Sequence, residues 1–173
     1  MLCGVLTLLS GYTIYRRQLP QRLNAAEQRQ LFASLAGIWQ GTLEYADDRT
    51  RQHFTYPTTV TFNTQNQGWA LIFTALYEGA ANVDITTLAS DPNTAAIVVT
   101  NGGPQSSHRL NGTGELVRLR NGDYAFVGES IAMNAEVRLV IRPEGRQLFL
   151  QEEYRRPGQA YYQFRNRFTL SRP

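Results

Sequence analysis

The sequence predicts an all-β domain: an antiparallel, up-and-down barrel of 9–10 strands preceded by one short helix. Three observations carry this. From Ile38 to Leu170 apolar and polar residues alternate with a period of two, the signature of half-buried strands. Explicit turn signals, Asn121-Gly122, Pro143-Glu144-Gly145 and Arg156-Pro157-Gly158, separate the later runs. Helical periodicity shows clearly in one place only, between Asn24 and Gly37. A meander with this many strands either leaves exposed edges or closes on itself, and closure removes the edges. A closed barrel is therefore expected over a two-sheet sandwich.

The elements follow in order. Gln18 to Asn24 reads as a polar linker containing Pro20, so residues 1–23 form an apolar N-terminal segment with its linker and residues 24–173 form the barrel domain. Asn24 has the form of a helix N-cap, with Glu27 three residues on to complete a capping box. Leu31, Phe32 and Leu35 share one face of that helix, and Gly37 is placed to stop it. The first strand then carries Trp39, Gly41, Leu43 and Tyr45 on one face. After the Ala-Asp-Asp turn, Phe54, Tyr56, Thr58, Val60 and Phe62 line the next. Further strands are expected over Trp69 to Glu78, Val83 to Leu88 and Ala95 to Thr100, followed by a polar, glycine-rich loop from Asn101 to Gly114. The Asn-Gly turn, read as a two-residue loop, sets Val117 opposite Phe126 and Leu119 opposite Tyr124. Val137, Leu139 and Ile141, then Leu148, Leu150, Glu152 and Tyr154, then Tyr162, Phe164, Asn166, Phe168 and Leu170 are the inward stripes of the last three strands.

At 173 residues the chain suits one domain with a real core. Every one of its 17 basic residues is arginine, which removes Schiff-base catalysis and lysine-dependent phosphate loops. Cys3 is the only cysteine, so no internal disulfide and no thiolate metal site can form. The formal charge is +3, with the basic excess towards the C-terminus. Leu2 to Tyr15 is uncharged and is followed by Arg16 and Arg17. Its fourteen residues fall short of the roughly 20 that span a bilayer, and its charges follow the apolar run where a secretory signal places them before it. Three readings stay open: a signal peptide truncated by a wrongly chosen start, a short membrane anchor through residues 2–15, or an apolar segment packed on the domain. A secreted, periplasmic or membrane-attached location is expected over a free cytoplasmic one.

Gly37-x-Trp39 opening the first strand after a short helix, the meander, and the arginine-bearing last segment "YYQFRNRFTLSR" together resemble the calycin superfamily, the lipocalins, fatty-acid-binding proteins and bacterial lipocalin-like proteins. The resemblance implies that Trp39 plugs the closed end of the barrel and that an arginine from the last strand, Arg165 or Arg167, packs over it and donates to carbonyls around Ala36. Arg167 is favoured as the nearer to the strand's finish. Both lie in the outward phase of the stripe, so the long side chain must curl around the barrel's end. The resemblance also implies a ligand cavity at the open end. Haem-binding barrels related to nitrobindin share the tryptophan-glycine opening, but their iron ligand is a late histidine, and no histidine follows His108.

The inward stripes make the expected cavity rich in aromatic residues, with Tyr45, Tyr56, Phe73, Tyr77, Tyr124, Tyr154 and Tyr162 as ligand-binding candidates. Buried phenols need partners, so such a cavity suits an apolar ligand with one or two polar groups; alternatively the hydroxyls reach the rim and meet water. Glu152 is the one carboxylate with an inward phase in its strand. It either orients a ligand amine or hydroxyl, or lies at the strand end in solvent.

His53 is out of phase with Phe54 and Tyr56 and is expected in solvent; two histidines without nearby cysteine make no recognisable metal site. No nucleophile elbow surrounds any serine, and the adjacent pairs Asp47-Asp48 and Glu152-Glu153 point to opposite faces. No catalytic residue, metal or cofactor is expected. The outward arginines Arg118, Arg120, Arg138 and Arg142, together with Arg165 and Arg167, are explained more simply by cross-strand pairs with residues such as Glu129 and Glu153 than by nucleic-acid binding. The expected function is non-catalytic binding of a small apolar or amphipathic ligand as carrier or sensor. The alternative is a filled barrel that binds a protein partner through its rim and the Asn101 to Gly114 loop.

Overall fold

Period-two patterning and one capped helix resolve, in a computed structural model, into a closed ten-stranded antiparallel barrel with a helix N-terminal to it and one short extra strand. Residues 20–47, 50, 52–79, 83–102, 112–130 and 133–173 are described. The apolar segment 2–15 with Cys3, Arg16 and Arg17, the turn residue Asp48, His108, and most of the polar 101–114 loop lie outside them.

The chain runs β1 (Gln21–Arg22), α1 (Ala25–Leu35), β2 (Gly37–Ala46), β3 (His53–Gln65), β4 (Ala70–Tyr77), β5 (Val83–Ser90), β6 (Ile97–Asn101), β7 (Gly112–Arg118), β8 (Tyr124–Ser130), β9 (Ala135–Glu144), β10 (Gln147–Arg155) and β11 (Gln163–Ser171). Each of β2 to β11 pairs with its sequence neighbour, and β11 pairs with β2, so no edge is left along the ring. The short β1 pairs with β7, with Gln21 opposite Arg118, and Leu23 donates to the Leu116 carbonyl at 2.8 Å. Gln21 to Leu23, read from the sequence as linker, thus already hydrogen-bond to the barrel, with β1 as an extra strand beside its ten-stranded ring.

α1 forms as its caps require. Asn24 accepts from the Glu27 amide at 3.0 Å, and the Glu27 carboxylate accepts from the Asn24 amide at 2.8 Å. Gly37, at φ +121°, releases the chain directly into β2. The apolar face of α1, Leu31, Phe32 and Leu35, is buried across one end of the barrel together with Leu23 and Trp39. Gln28, fully buried, fastens the helix there: it donates to the Leu23 and Ala95 carbonyls at 3.2 and 2.8 Å and accepts from the Ser90 hydroxyl.

Trp39 is 2% exposed, and its indole N–H donates to the Leu35 carbonyl at 2.8 Å, which answers the orphan acceptor of the helix end. Gly41, two residues on, shares that inward phase. A Cβ there would stand 2.0 Å from the Thr169 carbonyl oxygen, so the close approach of β2 to β11 admits only glycine. The Gly-x-Trp-x-Gly run is therefore the place where the barrel is both plugged and drawn tight.

Two register features differ from the sequence expectation. The β7–β8 connection is not a two-residue turn: Leu119 donates to Asp123, and Asn121 bridges the Asp123 amide and carboxylate, so Arg118 faces Tyr124 and Leu116 faces Phe126. Leu116 takes the inward place expected for Val117. The second difference is a bulge. Glu152 pairs with Asn166 but Glu153 pairs with Phe164, which leaves Arg165 as an extra residue in β11. One extra residue reverses the phase of everything before it, so Phe164 turns outward, stacked on His53 at 5.7 Å, and Arg165 turns inward.

The outer surface is divided. On the side of β8–β10 it carries ion pairs: Arg138 with Glu153, Arg142 with Asp123, Arg155 with Glu136. The outward positions of β4 to β6, including Leu76, Ile85 and Val98, carry no charge among the described residues.

Candidate functional site

The interior can be followed in levels from the plugged end to the mouth. Leu71, Leu88, Ile141, Leu148 and Leu170 form the lower, apolar levels. One or two residues along the same inward stripes the chemistry changes: Thr86 on β5, Glu152 on β10 and Asn166 on β11 form a polar level, and Tyr77, Asp84 and Arg165 stand nearer the mouth.

Between the apolar and polar levels lies an internal cavity of about 60 Å³. Its walls include Phe62, Leu71, Phe73, Leu139, Ile141, Leu150 and Phe168, and Thr86, Glu152 and Asn166 supply its polar side. A water needs roughly 10–15 Å³ of such space, so the cavity admits on the order of four water-sized groups. Pockets for drug-sized ligands measure about 300–1,000 Å³. Among the described residues, larger concavities lie outside the barrel, such as the open groove of about 540 Å³ by Glu129, Asn134, Arg155 and Pro157 at the rim.

The polar level is a connected network. Arg165 Nε stands 3.3 Å from Glu152 Oε1, and both side chains are 11% exposed. Asn166 donates to Glu152 Oε2 at 2.9 Å, and Arg165 Nη1 approaches the Met133 sulfur at 3.0 Å. Across the lumen the Tyr77 hydroxyl donates to Asp84 Oδ2 at 2.8 Å. Burial, then the Asp84 hydrogen bond and charge, then the Glu152 charge push the Tyr77 phenol far above its ordinary value, so it stays neutral.

The sequence-derived site residues divide by position. Phe73 and Glu152 line the cavity, and Tyr77 and Tyr154 occupy the mouth half of the lumen, Tyr154 at 2% exposure. Tyr45 and Tyr56 sit at the rim on β2 and β3, Tyr45 stacked on Phe54 at 5.6 Å and Tyr56 38% exposed. Tyr124 is elsewhere: it lies near the plugged end, opposite Ile141, with the Arg118 guanidinium 5.5 Å from its ring. Tyr162 is outside the barrel, because the bulge at Arg165 reverses the phase; the Arg138 and Arg155 guanidinium groups lie 4.1 and 5.0 Å from its ring. The cavity wall is accordingly leucine, isoleucine and phenylalanine with three polar residues, and tyrosine is absent from it.

The closure expected of Arg165 or Arg167 belongs to a different arginine. Arg172 lies 4.7 Å over the Trp39 ring and donates to the Ser34 and Ala36 carbonyls at 2.7 and 3.3 Å. Arg165 is committed to Glu152, and Arg167 donates to Gln151 on the outer surface. Arg172 follows the end of β11, where a side chain reaches the helix end without curling around the sheet.

Asp84, Thr86, Asn166 and an inward Arg165 were missed as site residues. Asn166 was legible from its phase; Asp84 shares the Thr86 and Leu88 phase and could have been read from it. His53 lies in solvent as expected, with Nδ1 2.9 Å from Glu44 Oε1. Among the described residues no three histidine, cysteine, aspartate or glutamate side chains converge as metal ligands, and no helix is long and apolar enough to cross a membrane.

Fold and site together define a closed antiparallel β-barrel, plugged by a tryptophan and a helix at one end and polar inside its mouth. No protein-family model matches the chain, and no curated protein matches it.

Proposed function

We propose that this is a calycin-like barrel that binds a small amphipathic molecule in the mouth half of its lumen without transforming it. One observation carries the reading: a buried ionic network, Glu152, Arg165 and Asn166, borders an internal void whose other walls, Thr86 apart, are apolar. A buried ion pair adds little to stability, and apolar side chains of similar volume hold a core together as well or better. A barrel that needed only to fold would be better filled with leucine. The tryptophan at the closed end with Arg172 over it supports the calycin resemblance. The cavity size favours a ligand of few heavy atoms over a long acyl chain.

Native mass spectrometry of the protein purified from its own host tests this. A retained small molecule, absent from a variant whose void is filled by Leu150→Phe, is the expected result. An unliganded mass, combined with no amide shifts from cavity-lining residues during a small-fragment titration, would sink it.

A second reading, a filled barrel acting as a protein-interaction module, is favoured by the same small volume and by Tyr161, which is 83% exposed in the β10–β11 connection at the rim. It expects Tyr161→Ala to abolish capture of a host partner while leaving fragment binding untouched.

A further inference from the structure

We propose that the ligand of this barrel carries a positively charged nitrogen on a short apolar stem, with the nitrogen seated at Asp84 and the stem directed into the void beside Phe73. The inference rests on the ligand-binding reading above and adds the chemical class.

Three features of the mouth half lead to it. First, one of two lumen carboxylates lacks a cation. Among the described residues Asp84 and Glu152 face the lumen, and Arg165 stands 3.3 Å from Glu152. Asp84 has no cationic partner among the described residues; its Oδ2 accepts from Tyr77, which leaves Oδ1 able to accept another donor. A ligand that covers Asp84 strips water from a carboxylate, and only a cation restores that loss. A ligand carboxylate would meet two like charges and an arginine already engaged. A neutral ligand would leave Asp84 desolvated without compensation.

Second, the neighbouring strand supplies rings. Phe73 and Tyr77 on β4 project on the inward phase to either side of Ala75, which stands opposite Asp84 on β5. Aromatic faces attract an ammonium group and repel an anion. Because the Tyr77 phenol stays neutral, it contributes a ring and a hydroxyl dipole and no competing charge.

Third, the void begins one inward position below Asp84, at Thr86, and is apolar beneath that level. Its volume of about 60 Å³ accommodates a stem of on the order of four carbons. Charge at the mouth and hydrocarbon below describe a short-chain primary amine.

Three probes of nearly equal size separate the possibilities: n-butylamine, 1-butanol and sodium butanoate, each titrated at pH 7 into the full chain and followed by amide chemical shifts and melting temperature. Butylamine is expected to bind with saturable shifts at β4, β5 and β10, at least about tenfold more tightly than butanol, with butanoate weakest. Asp84→Asn is expected to erase the advantage of the amine over the alcohol while leaving butanol binding in place. Butanoate or butanol binding as well as the amine, or an Asp84→Asn protein that keeps the preference, would overturn the charge inference and leave the ligand-binding reading standing. If none of the three perturbs the cavity, both fall together.

Discussion

The Arg172 guanidinium lies 4.7 Å over the Trp39 ring while its Nη2 donates 2.7 Å to the Ser34 carbonyl, so one side chain from beyond the last strand seals the plug and satisfies the end of α1. The planar cation suits both tasks at once, since it stacks on a ring and presents its N–H groups at the edge. Trp39→Ala is expected to destabilise the fold by about 3–5 kcal/mol, the usual result of deleting a buried aromatic. A double-mutant cycle with Arg172→Ala should give a coupling of about 0.5–1 kcal/mol. Denaturant melts that show Trp39→Ala unchanged within error would remove the plug from this account of the fold.

The Glu152–Arg165 pair makes a prediction with two opposite signs. Glu152→Ala leaves a buried guanidinium without its carboxylate and is expected to cost about 3–5 kcal/mol. Replacing both, Glu152→Leu with Arg165→Met, is expected to be neutral or to raise stability by about 1–4 kcal/mol. Chemical denaturation of the three proteins checks this; a double variant as unstable as the single one would mean that the ion pair itself supports the bulge.

A pH effect follows from the β7–β8 connection. The hydrogen bond from Arg142 holds the Asp123 carboxyl below its ordinary 3.8, with burial opposing and Asn121 assisting. A carboxyl whose folded pKa is depressed stabilises the fold above its unfolded pKa, and that contribution is lost as pH falls through the folded value. Asp123→Ala should therefore melt below the parent at pH 7, by about 1–3 kcal/mol for a buried charged hydrogen bond. The two curves should converge as the pH drops below about 3.8. A gap that persists unchanged at pH 2.5 would show that packing, not charge, accounts for the loss.

Gly41 offers a purely steric test. With the Thr169 carbonyl oxygen 2.0 Å from where a Cβ would stand, Gly41→Ala is expected to push β2 from β11 at a cost of about 1–3 kcal/mol. The measurable sign is faster amide exchange at Thr42, Leu43 and Phe168. Exchange and melting both equal to the parent would mean the two strands separate freely there.

Much of this molecule follows from rules that act within a few residues. The capping box at Asn24 and Glu27, the stop at Gly37, the period-two stripes and the plug at Trp39 depend on neighbours in the chain, and the structure holds them where the sequence reading expects them. Strand number and closure follow because ten short strands in a meander have few other ways to hide their edges. Side-chain phase is different. It passes along a strand only until an extra residue intervenes, and whether one does is decided by the fit of one strand to the next. The bulge at Arg165 brings a guanidinium into the lumen and carries Phe164 and Tyr162 out of it. The longer turn at 119–123 likewise exchanges Leu116 for Val117. Which arginine covers Trp39 was settled by reach across the closed end, where Arg172 stands nearest the helix carbonyls. The size of the void is decided by how all the inward side chains interlock. Local chemistry therefore determined the barrel, its helix and its plug, and only tertiary packing decided which polar groups meet inside it.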